Sequence, residues 1–349
     1  VIRVIADPDL PPGKTDIQVI QHTGLTEQLI YIGKKNSLPG RYFFYRRWNH
    51  QFRKAIQDYI NTYGKPDWVH VHVPYPAGRM ALWVKQKYAV PFVVTEHWTI
   101  YQPGSTISYQ QQPARLRKLV YRVMKESSLF LPVSADLGQR VNHLVTPVLC
   151  TVIPNVVDTD LFFYQDRGSV VDPVFRFIHV SGMNAQKNPQ GLLRAFSAAF
   201  REDPQIRLLM LGNRDDSLHR FADTLGLPAG TIRFGGEVNY PEVAVQMQKS
   251  DALVLFSNME NAPCVISEAL CCGVPVIATQ TGGIPEMINA TNGLLVEPGD
   301  ETAMKNALLD LKENRHRYNR ALIASDAKRI YQYEIVSAAF SAVYNNQVS

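Results

Sequence analysis

The sequence predicts an α/β protein of two domains, each built around a parallel β-sheet. Three observations carry this prediction. The chain has 349 residues, a length that a single hydrophobic core seldom supports. Short apolar runs of strand length alternate with helical stretches, which implies right-handed crossovers between parallel strands. Residues 162–173 lack either periodicity, so they are predicted to link a domain of residues 1–161 to one of residues 174–330.

The first predicted domain opens on a strand and continues as strands and helices in turn. Residues 78–88 are predicted to form a helix, because apolar side chains recur there at helical spacing. Short apolar runs mark the strands, which fit burial in a parallel sheet. These strands are residues 1–6, 67–73, 91–95, 129–134 and 150–154.

A second series of strands and helices follows the predicted linker. It contains a helix over residues 191–200, and a last helix around residues 334–344 closes the chain. The same strand-helix rhythm predicts a second parallel sheet. Its strands are residues 175–180, 207–211, 232–234, 252–256 and 274–278.

Charge divides the chain into a basic and a mildly acidic part. Residues 1–160 hold 19 Lys and Arg against 11 Asp and Glu, leaving 17 against 20 for residues 161–349. This asymmetry suggests an anionic partner or surface for the first part, with a solvated basic face as the alternative. Residues 40–54 and 114–125 mix cations with apolar residues at helical spacing, which fits either docking on an anionic membrane or ordinary core packing. Nucleic acid is not a predicted partner, because no recognised binding module accompanies the cations.

The cysteines and the hydropathy pattern narrow the class of protein further. Four cysteines, two of them adjacent, are too few for a disulfide framework, and a reducing cytoplasm fits best. Their spacing does not predict a metal site. No apolar run reaches the length of about 20 residues that a membrane-spanning helix needs. We therefore expect a cytoplasmic protein that is either soluble or peripheral on the inner face of the membrane.

The most informative segment is residues 257–286, which places Glu260 and Glu268 eight positions apart across a strand-to-helix junction. Pro263 suits a first helical position, so a helix is predicted to begin near Ala262. The first turn leaves backbone N–H groups unpaired at the positive end of the helix dipole, which favours a bound anion such as phosphate. Two acids at this spacing are suited to bracket a nucleotide-sized ligand.

Two further loops follow predicted strands, where open α/β sheets bind ligands. Gly182 and Lys187 lie between strand 175–180 and helix 191–200, a position suited to cradling phosphate. His97 follows strand 91–95 and is a candidate for the catalytic cleft, with an ordinary structural histidine as the alternative.

Residues 257–286 resemble the Glu-x7-Glu donor site of retaining glycosyltransferases of family 4. The likeness includes the small-residue turn 271–273, the strand 274–279 and the turn 282–286. Thr95-Glu-His97 is similar to the family's cleft motif, and residues 152–158 resemble its hinge signature, with Val156 in place of the usual Gly.

The resemblance implies the GT-B architecture, in which two Rossmann-like parallel-sheet domains face each other. It also implies that one βα unit of about 30 residues precedes the first strand, and that the helix of residues 331–349 packs back on the first domain.

The resemblance assigns roles to individual residues. Glu260 would contact the transferred sugar, Glu268 the ribose hydroxyls, and His97 would approach the donor sugar. Gly182 and Lys187 match a Gly-Arg…Lys pattern that neutralises a diphosphate. In this chain Met183 replaces the Arg, and Arg214 is a candidate for the missing charge. The remaining residues expected at the donor are Asn261, Ala262, Pro263, Cys264 and Val265.

The predicted function is metal-independent transfer of a sugar from a nucleoside-diphosphate-sugar to a hydroxyl acceptor, with retention of anomeric configuration. No cofactor is expected, and the acceptor would be a glycan or a lipid-linked saccharide. Two alternatives remain open at this stage. One is a nucleotide-sugar epimerase of the same fold, and the other is a catalytically impaired scaffold that binds sugar nucleotides, which Met183 favours.

Overall fold

The computed structural model describes residues 1–34, 38–105, 107–168 and 173–346. Residues 169–172 of the predicted linker and 347–349 of the predicted last helix lie outside the described residues. The chain forms two compact units, one of Val1–Val94 with Lys118–Leu129 and one of Thr95–Arg117 with Phe130–Ser349. The predicted division at residues 162–173 and the packing of the last helix on the first domain stay predictions.

One sheet of the first unit is mixed and includes only one of the predicted strands, residues 1–6. Strands β1 (Ile2–Asp7) and β3 (Leu25–Gly33) are parallel, while β2 (Thr15–His22) pairs antiparallel with β3. The sequence does not predict the β2-β3 hairpin. Strand β2 is almost entirely exposed, so it lacks the apolar run by which buried strands are recognised. Helices α1 (Leu38–Tyr63) and α2 (Gly78–Tyr88) follow, and α2 has its predicted bounds.

A second three-stranded sheet has the order β4 (Val69–His72), β5 (Phe92–Glu96), β6 (Leu129–Pro132). Helix α3 (Ala114–Glu126) lies between β5 and β6 in the chain. The predicted strand 150–154 is wrong: only an isolated bridge between Phe130 and Cys150 forms. Thr151 N–H donates to Phe130 O and Ile153 N–H donates to Pro132 O, but Pro132 has no N–H to return a bond, so the ladder is incomplete.

The second unit contains a six-stranded sheet whose neighbouring strands are all parallel. Its order is β12-β11-β10-β7-β8-β9, so the strand order reverses between β7 and β10. That arrangement is the doubly wound Rossmann order. The strands are β7 (Phe175–Ser181), β8 (Ile206–Gly212), β9 (Ile232–Gly236), β10 (Ala252–Leu255), β11 (Val276–Thr279) and β12 (Gly293–Val296).

Both faces of this sheet are buried, which explains why its strands are continuous apolar runs. Leu253 and Leu255 belong to one hydrophobic cluster, whereas Val254 belongs to another, as expected when successive side chains point to opposite faces. The five strands predicted from the sequence are confirmed within one or two residues at each end.

Helices cover the two faces and complete the unit. Helix α8 packs with α7 and α10 in the cluster that contains Leu253, while α5 and α9 pack in the cluster that contains Val254. The helices are α4 (Ala135–Leu144), α5 (Pro189–Glu202), α6 (Asp216–Thr224), α7 (Tyr240–Gln248), α8 (Cys264–Cys271), α9 (Glu301–Glu313), α10 (Arg320–Tyr331) and α11 (Tyr333–Asn346). Within the described ranges, no helix has the length and apolar character needed to cross a membrane.

Candidate functional site

The strand order locates a candidate site before any side chain is considered. In open α/β sheets, ligands bind outside the carboxyl ends of the strands where the order reverses. Here that point lies between β7 and β10. The loop after β7 carries Gly182 and Lys187, and the loop after β10 carries Glu260 and Asn261. Two groups of predicted site residues therefore meet at one edge of the sheet.

Backbone and side-chain hydrogen bonds hold these two loops together. Residues 185–187 form a single 3₁₀ turn. Asn258 N–H donates to Gln186 O at 2.8 Å, and Gln186 Nε2 donates to Met259 O at 2.9 Å. The relative position of Lys187 and the loop after β10 is thus fixed by bonds that do not involve the charged side chains themselves.

Lys187 and Glu260 form an ion pair at this edge. Lys187 Nζ donates to Glu260 Oε1 at 2.5 Å, with side chains that are 20% and 6% exposed. Partial desolvation makes such a pair more influential than a surface one, and removing one partner leaves the other charge buried and unpaired. The structure thus brings together two residues that the sequence predicted from separate motifs.

Glu268 lies on α8 and has a phenol as its partner. It is 7% exposed and accepts a hydrogen bond from Tyr240 Oη at 2.8 Å. Burial raises the pKa of Glu268 above its usual range, and the Tyr240 hydrogen bond opposes that shift. Tyr240 is a site residue that sequence reasoning missed. Its only signal is its place at the start of a helix that follows β9.

The predicted start of helix α8, near Ala262, needs correction. Pro263 is the N-cap, with φ −67° and ψ 120°, and α8 begins at Cys264. Pro263 and Ala262 are therefore not helical, and Pro263 has no N–H to offer. The first internal bond runs from Ile266 N–H to Pro263 O, so the end of the helix directs the N–H groups of Cys264 and Val265 outward.

Two glycines close a turn against the loop that carries Glu260. Gly282 has φ +55°, and a Cβ there would lie 1.8 Å from Glu260 O. Gly283 N–H donates to Asn261 O at 2.8 Å, and a Cβ on Gly283 would lie 2.5 Å from Ser134 Cβ. The Gly-Gly pair is therefore required by close approach, and the backbone around Glu260 is held from this side.

The loop that carries His97 is anchored by its neighbour Glu96. The Glu96 carboxylate is fully buried and accepts from His97 N–H at 2.7 Å, Trp98 N–H at 2.9 Å and Tyr101 Oη at 3.1 Å. Burial raises the pKa of Glu96 to about 7, against the effect of these hydrogen bonds. His97 itself is exposed. The buried Glu96 carboxylate therefore holds the backbone of this loop from the interior of the protein.

Asn261 connects the loop that carries His97 to the loop of residues 256–263 between β10 and α8, the donor loop. Its Nδ2 donates to His97 O at 2.9 Å. Its Oδ1 accepts from Gln102 Nε2 at 2.8 Å, and the same amide nitrogen donates to Asp136 Oδ2 at 2.7 Å. Sequence reasoning missed Gln102, because no pattern marks a glutamine in an aperiodic loop. Asn155 adds a further bond, since its Nδ2 donates to Ala262 O at 3.0 Å.

Met183 occupies the place where the family resemblance expects an Arg. Its side chain is 6% exposed and belongs to a hydrophobic core cluster, so it projects away from solvent. Arg214, the candidate substitute, pairs with Asp216 at 2.8 Å on an exposed surface. Lys187 is thus the predicted cation that lies at Glu260. Among the described residues, no group of three or more His, Cys, Asp or Glu side chains is arranged to hold a metal ion.

Two protein-family models match different parts of the chain. The family model described as Glycosyl transferases group 1 matches residues 167–329, and the model described as Glycosyltransferase Family 4 matches residues 10–161. N-acetyl-alpha-D-glucosaminyl L-malate synthase of Bacillus anthracis is 25% identical over 292 residues, which are 80% of this chain and 74% of that protein. Glycogen synthase of Mycobacterium tuberculosis is 26% identical over 298 residues, covering 80% and 69%.

Two solved structures illustrate the likeness in fold. Sucrose-phosphate synthase from Thermosynechococcus elongatus superposes with a TM-score of 0.76 at 19% identity, covering 98% of this chain and 87% of that one. Anabaena HepE, solved in complex with UDP, gives a TM-score of 0.72 at 18% identity, covering 91% and 86%. At these identities the likeness concerns the fold.

Proposed function

The chain is a glycosyltransferase of the family 4 type with the GT-B fold, and we propose that it transfers a sugar from a nucleoside-diphosphate-sugar to a hydroxyl acceptor with retention of anomeric configuration. The observation that carries this proposal is the contact between Lys187 and Glu260 beside the first turn of α8. A cation, helix N–H groups and two buried carboxylates then lie along one edge of the sheet, which suits a ligand with a diphosphate between two hydroxyl-rich ends.

In the proposed complex each part of the donor has its own protein group. The diphosphate lies at Lys187 and at the N–H groups of Cys264 and Val265. The transferred sugar lies at Glu260, and the ribose hydroxyls bind Glu268. HepE, which is similar in fold, was solved with UDP and with UDP-glucose, and this supports a nucleotide-sugar donor. Gly182 supports it as well, since a Cβ there would meet nothing closer than 3.7 Å, which leaves room beside the backbone.

The chemistry of the step follows from where charge develops. As the glycosidic bond to the phosphate breaks, negative charge grows on the departing diphosphate, and Lys187 with the helix N-terminus stabilises it. We propose that these groups supply the charge for which other transferases use a metal. Glu260 is held by Lys187, so it orients sugar hydroxyls rather than attacking the anomeric carbon. The acceptor hydroxyl attacks from the face that the diphosphate leaves, and the leaving phosphate takes its proton.

Radiolabelled donor turnover tests this proposal directly. The chain is incubated with UDP-glucose, UDP-N-acetylglucosamine or GDP-mannose, with and without a pool of oligosaccharide acceptors. Acceptor-dependent release of nucleoside diphosphate is the expected result, with an anomeric coupling in the ¹H NMR spectrum of the product that matches the donor. Interconversion of the donor sugar without acceptor would instead identify an epimerase. Tight donor binding without turnover would identify a scaffold.

We further propose that α1 docks on an anionic membrane where a lipid-linked acceptor would lie. Three aromatic side chains in its first turns are 60%, 64% and 42% exposed, namely Tyr42, Phe43 and Tyr45. Arg46 and Arg47 follow them directly, and each cation near an anionic surface contributes about 1 kcal/mol. The wild-type chain is expected to sediment with anionic liposomes and to be released by salt.

Two serine variants on the same helix distinguish membrane docking from nonspecific adsorption. Phe43→Ser should weaken sedimentation with anionic liposomes, whereas Tyr63→Ser, at the far end of α1 and 72% exposed in the wild type, should not. Equal retention on neutral and anionic liposomes at low salt would show that α1 is an ordinary solvated helix.

A further inference from the structure

A cleft of about 670 Å³ lies within the second unit, between residues 100–105 and 108–111 on one side and α4 on the other. It is separate from the contacts assigned above to the donor, and its volume is typical of small-molecule sites, which span about 300–1,000 Å³. It has room for the end of an oligosaccharide rather than for a single ion. The lining residues on which the inference depends are Tyr101, Gln102, Tyr109, Asp136, Gln139 and Arg140.

Two buried tyrosines lie behind the cleft. The rings of Tyr101 and Tyr109 lie 5.4 Å apart between centroids and are inclined by 32°. Both are almost fully buried, and their hydroxyls are engaged elsewhere, by Glu96 and by the Arg117 carbonyl. With so little ring surface exposed, the tyrosines support the shape of the cleft, and its polar groups are those of Gln102 and α4.

The opposite charges of Asp136 and Arg140, which line the cleft, neutralise each other. The Asp136 carboxylate accepts from Arg140 Nε at 2.8 and 2.9 Å, and from Gln102 Nε2 at 2.7 Å. This pair has no net charge, and the N–H groups of Ala135 and Asp136 at the start of α4, which could otherwise attract an anion, already donate to Glu286. The remaining donors and acceptors of Arg140, Asp136 and Gln139 suit hydroxyl groups, which both donate and accept. The cleft chemistry therefore favours a neutral, hydroxyl-rich ligand over an anion.

Hydrogen bonds place this cleft beside the donor loop. Gln102 Nε2, which donates to Asp136 in the cleft, also donates to Asn261, the residue that follows Glu260. On the other side, Glu286 accepts from the N–H groups of Ala135 and Asp136 at 2.7 and 2.8 Å, which fixes the first turn of α4. One side chain therefore separates the cleft from the loop that would hold the transferred sugar.

We propose that this cleft binds the acceptor and that the acceptor is a neutral saccharide. This inference rests on the proposed function, since it names the acceptor of the same reaction. The paired charges of Asp136 and Arg140 and the exposed Gln139 recognise the hydroxyls of sugar units behind the reacting hydroxyl, and Gln102 joins the cleft to Asn261, the residue after Glu260. A phosphorylated or carboxylated acceptor is a poor match for the neutral pairing of Asp136 and Arg140.

The test fills the cleft without disturbing its buried hydrogen bonds. Gln139 is exposed on α4 and lines the cleft, so Gln139→Trp places an indole over the opening. Asn306→Trp adds the same group to an exposed position on α9 and serves as the matched control. We expect Gln139→Trp to raise the KM for a neutral oligosaccharide acceptor at least tenfold, and Asn306→Trp to leave that KM unchanged.

Binding measured without turnover keeps this inference independent of the proposed reaction. Saturation-transfer NMR with maltotriose, cellobiose and chitobiose should show binding to the wild-type chain that Gln139→Trp removes, whether or not any donor is turned over. An acceptor KM and saccharide binding that both survive Gln139→Trp would overturn the cleft assignment while leaving the transfer reaction intact. Binding of glucose 6-phosphate that depends on Gln139, without binding of the neutral sugars, would overturn the neutral class.

Discussion

Lys187→Ala is expected to lower kcat by about 10²–10³-fold, the loss seen when one group that stabilises transition-state charge is removed. Lys187 is the predicted cation found in contact with Glu260, and Met183 points into the core where the family resemblance expects a second cation. With half of the expected cationic pair replaced by an apolar side chain, the diphosphate depends more heavily on Lys187 and on the first turn of α8. Initial rates with labelled donor measure the effect.

Three comparisons show whether that loss comes from charge at the leaving group. Lys187→Arg keeps the charge and should recover part of the activity. Arg214→Ala removes a cation that pairs with Asp216 on the surface and should leave kcat unchanged. Because Lys187→Ala also leaves the Glu260 carboxylate buried without a partner, the melting temperature is measured alongside. A folded Lys187→Ala variant with wild-type kcat would remove Lys187 from the leaving-group site.

The sequence predicted the second sheet and the place of the site for a physical reason. Strands buried on both faces, such as β10, are continuous apolar runs, so each can be recognised from its own sequence without knowing which strand it pairs with. In a parallel sheet, the residues that follow each strand collect at one edge. Their positions after strands therefore predicted a site that contains His97, Lys187 and Glu260. The structure shows Lys187 and Glu260 in contact.

Contacts between residues that are far apart in the sequence could not be predicted in that way. Gln102 and Asn261 are 159 positions apart in the chain, and nothing local indicates that their amides meet. Tyr240 reaches Glu268 from a helix that follows another strand. The start of α8 was misplaced because Pro263 suits either a first helical residue or a cap, and only the backbone ψ of 120° decides between them.

Glu268→Ala is expected to weaken binding of free nucleoside diphosphate by about 1.5–3 kcal/mol, the usual loss when a charged acceptor of a buried hydrogen bond is removed. The affinity should fall roughly tenfold to a hundredfold in calorimetry with UDP or GDP. Tyr240→Phe, which removes the 2.8 Å partner of the carboxylate but not the carboxylate itself, should cost less.

Glu260→Gln is the comparison that decides whether the two glutamates divide the donor. Glu260 is proposed to face the transferred sugar, which free nucleoside diphosphate lacks, so Glu260→Gln should reduce turnover while leaving nucleoside-diphosphate affinity close to that of the wild type. Glu268→Ala should instead lose affinity for the nucleoside diphosphate and for the intact donor to the same extent, because both ligands carry the ribose. If Glu260→Gln and Glu268→Ala lose nucleoside-diphosphate affinity equally, both carboxylates lie at the same part of the donor, and the assignment of sugar to Glu260 and ribose to Glu268 is wrong.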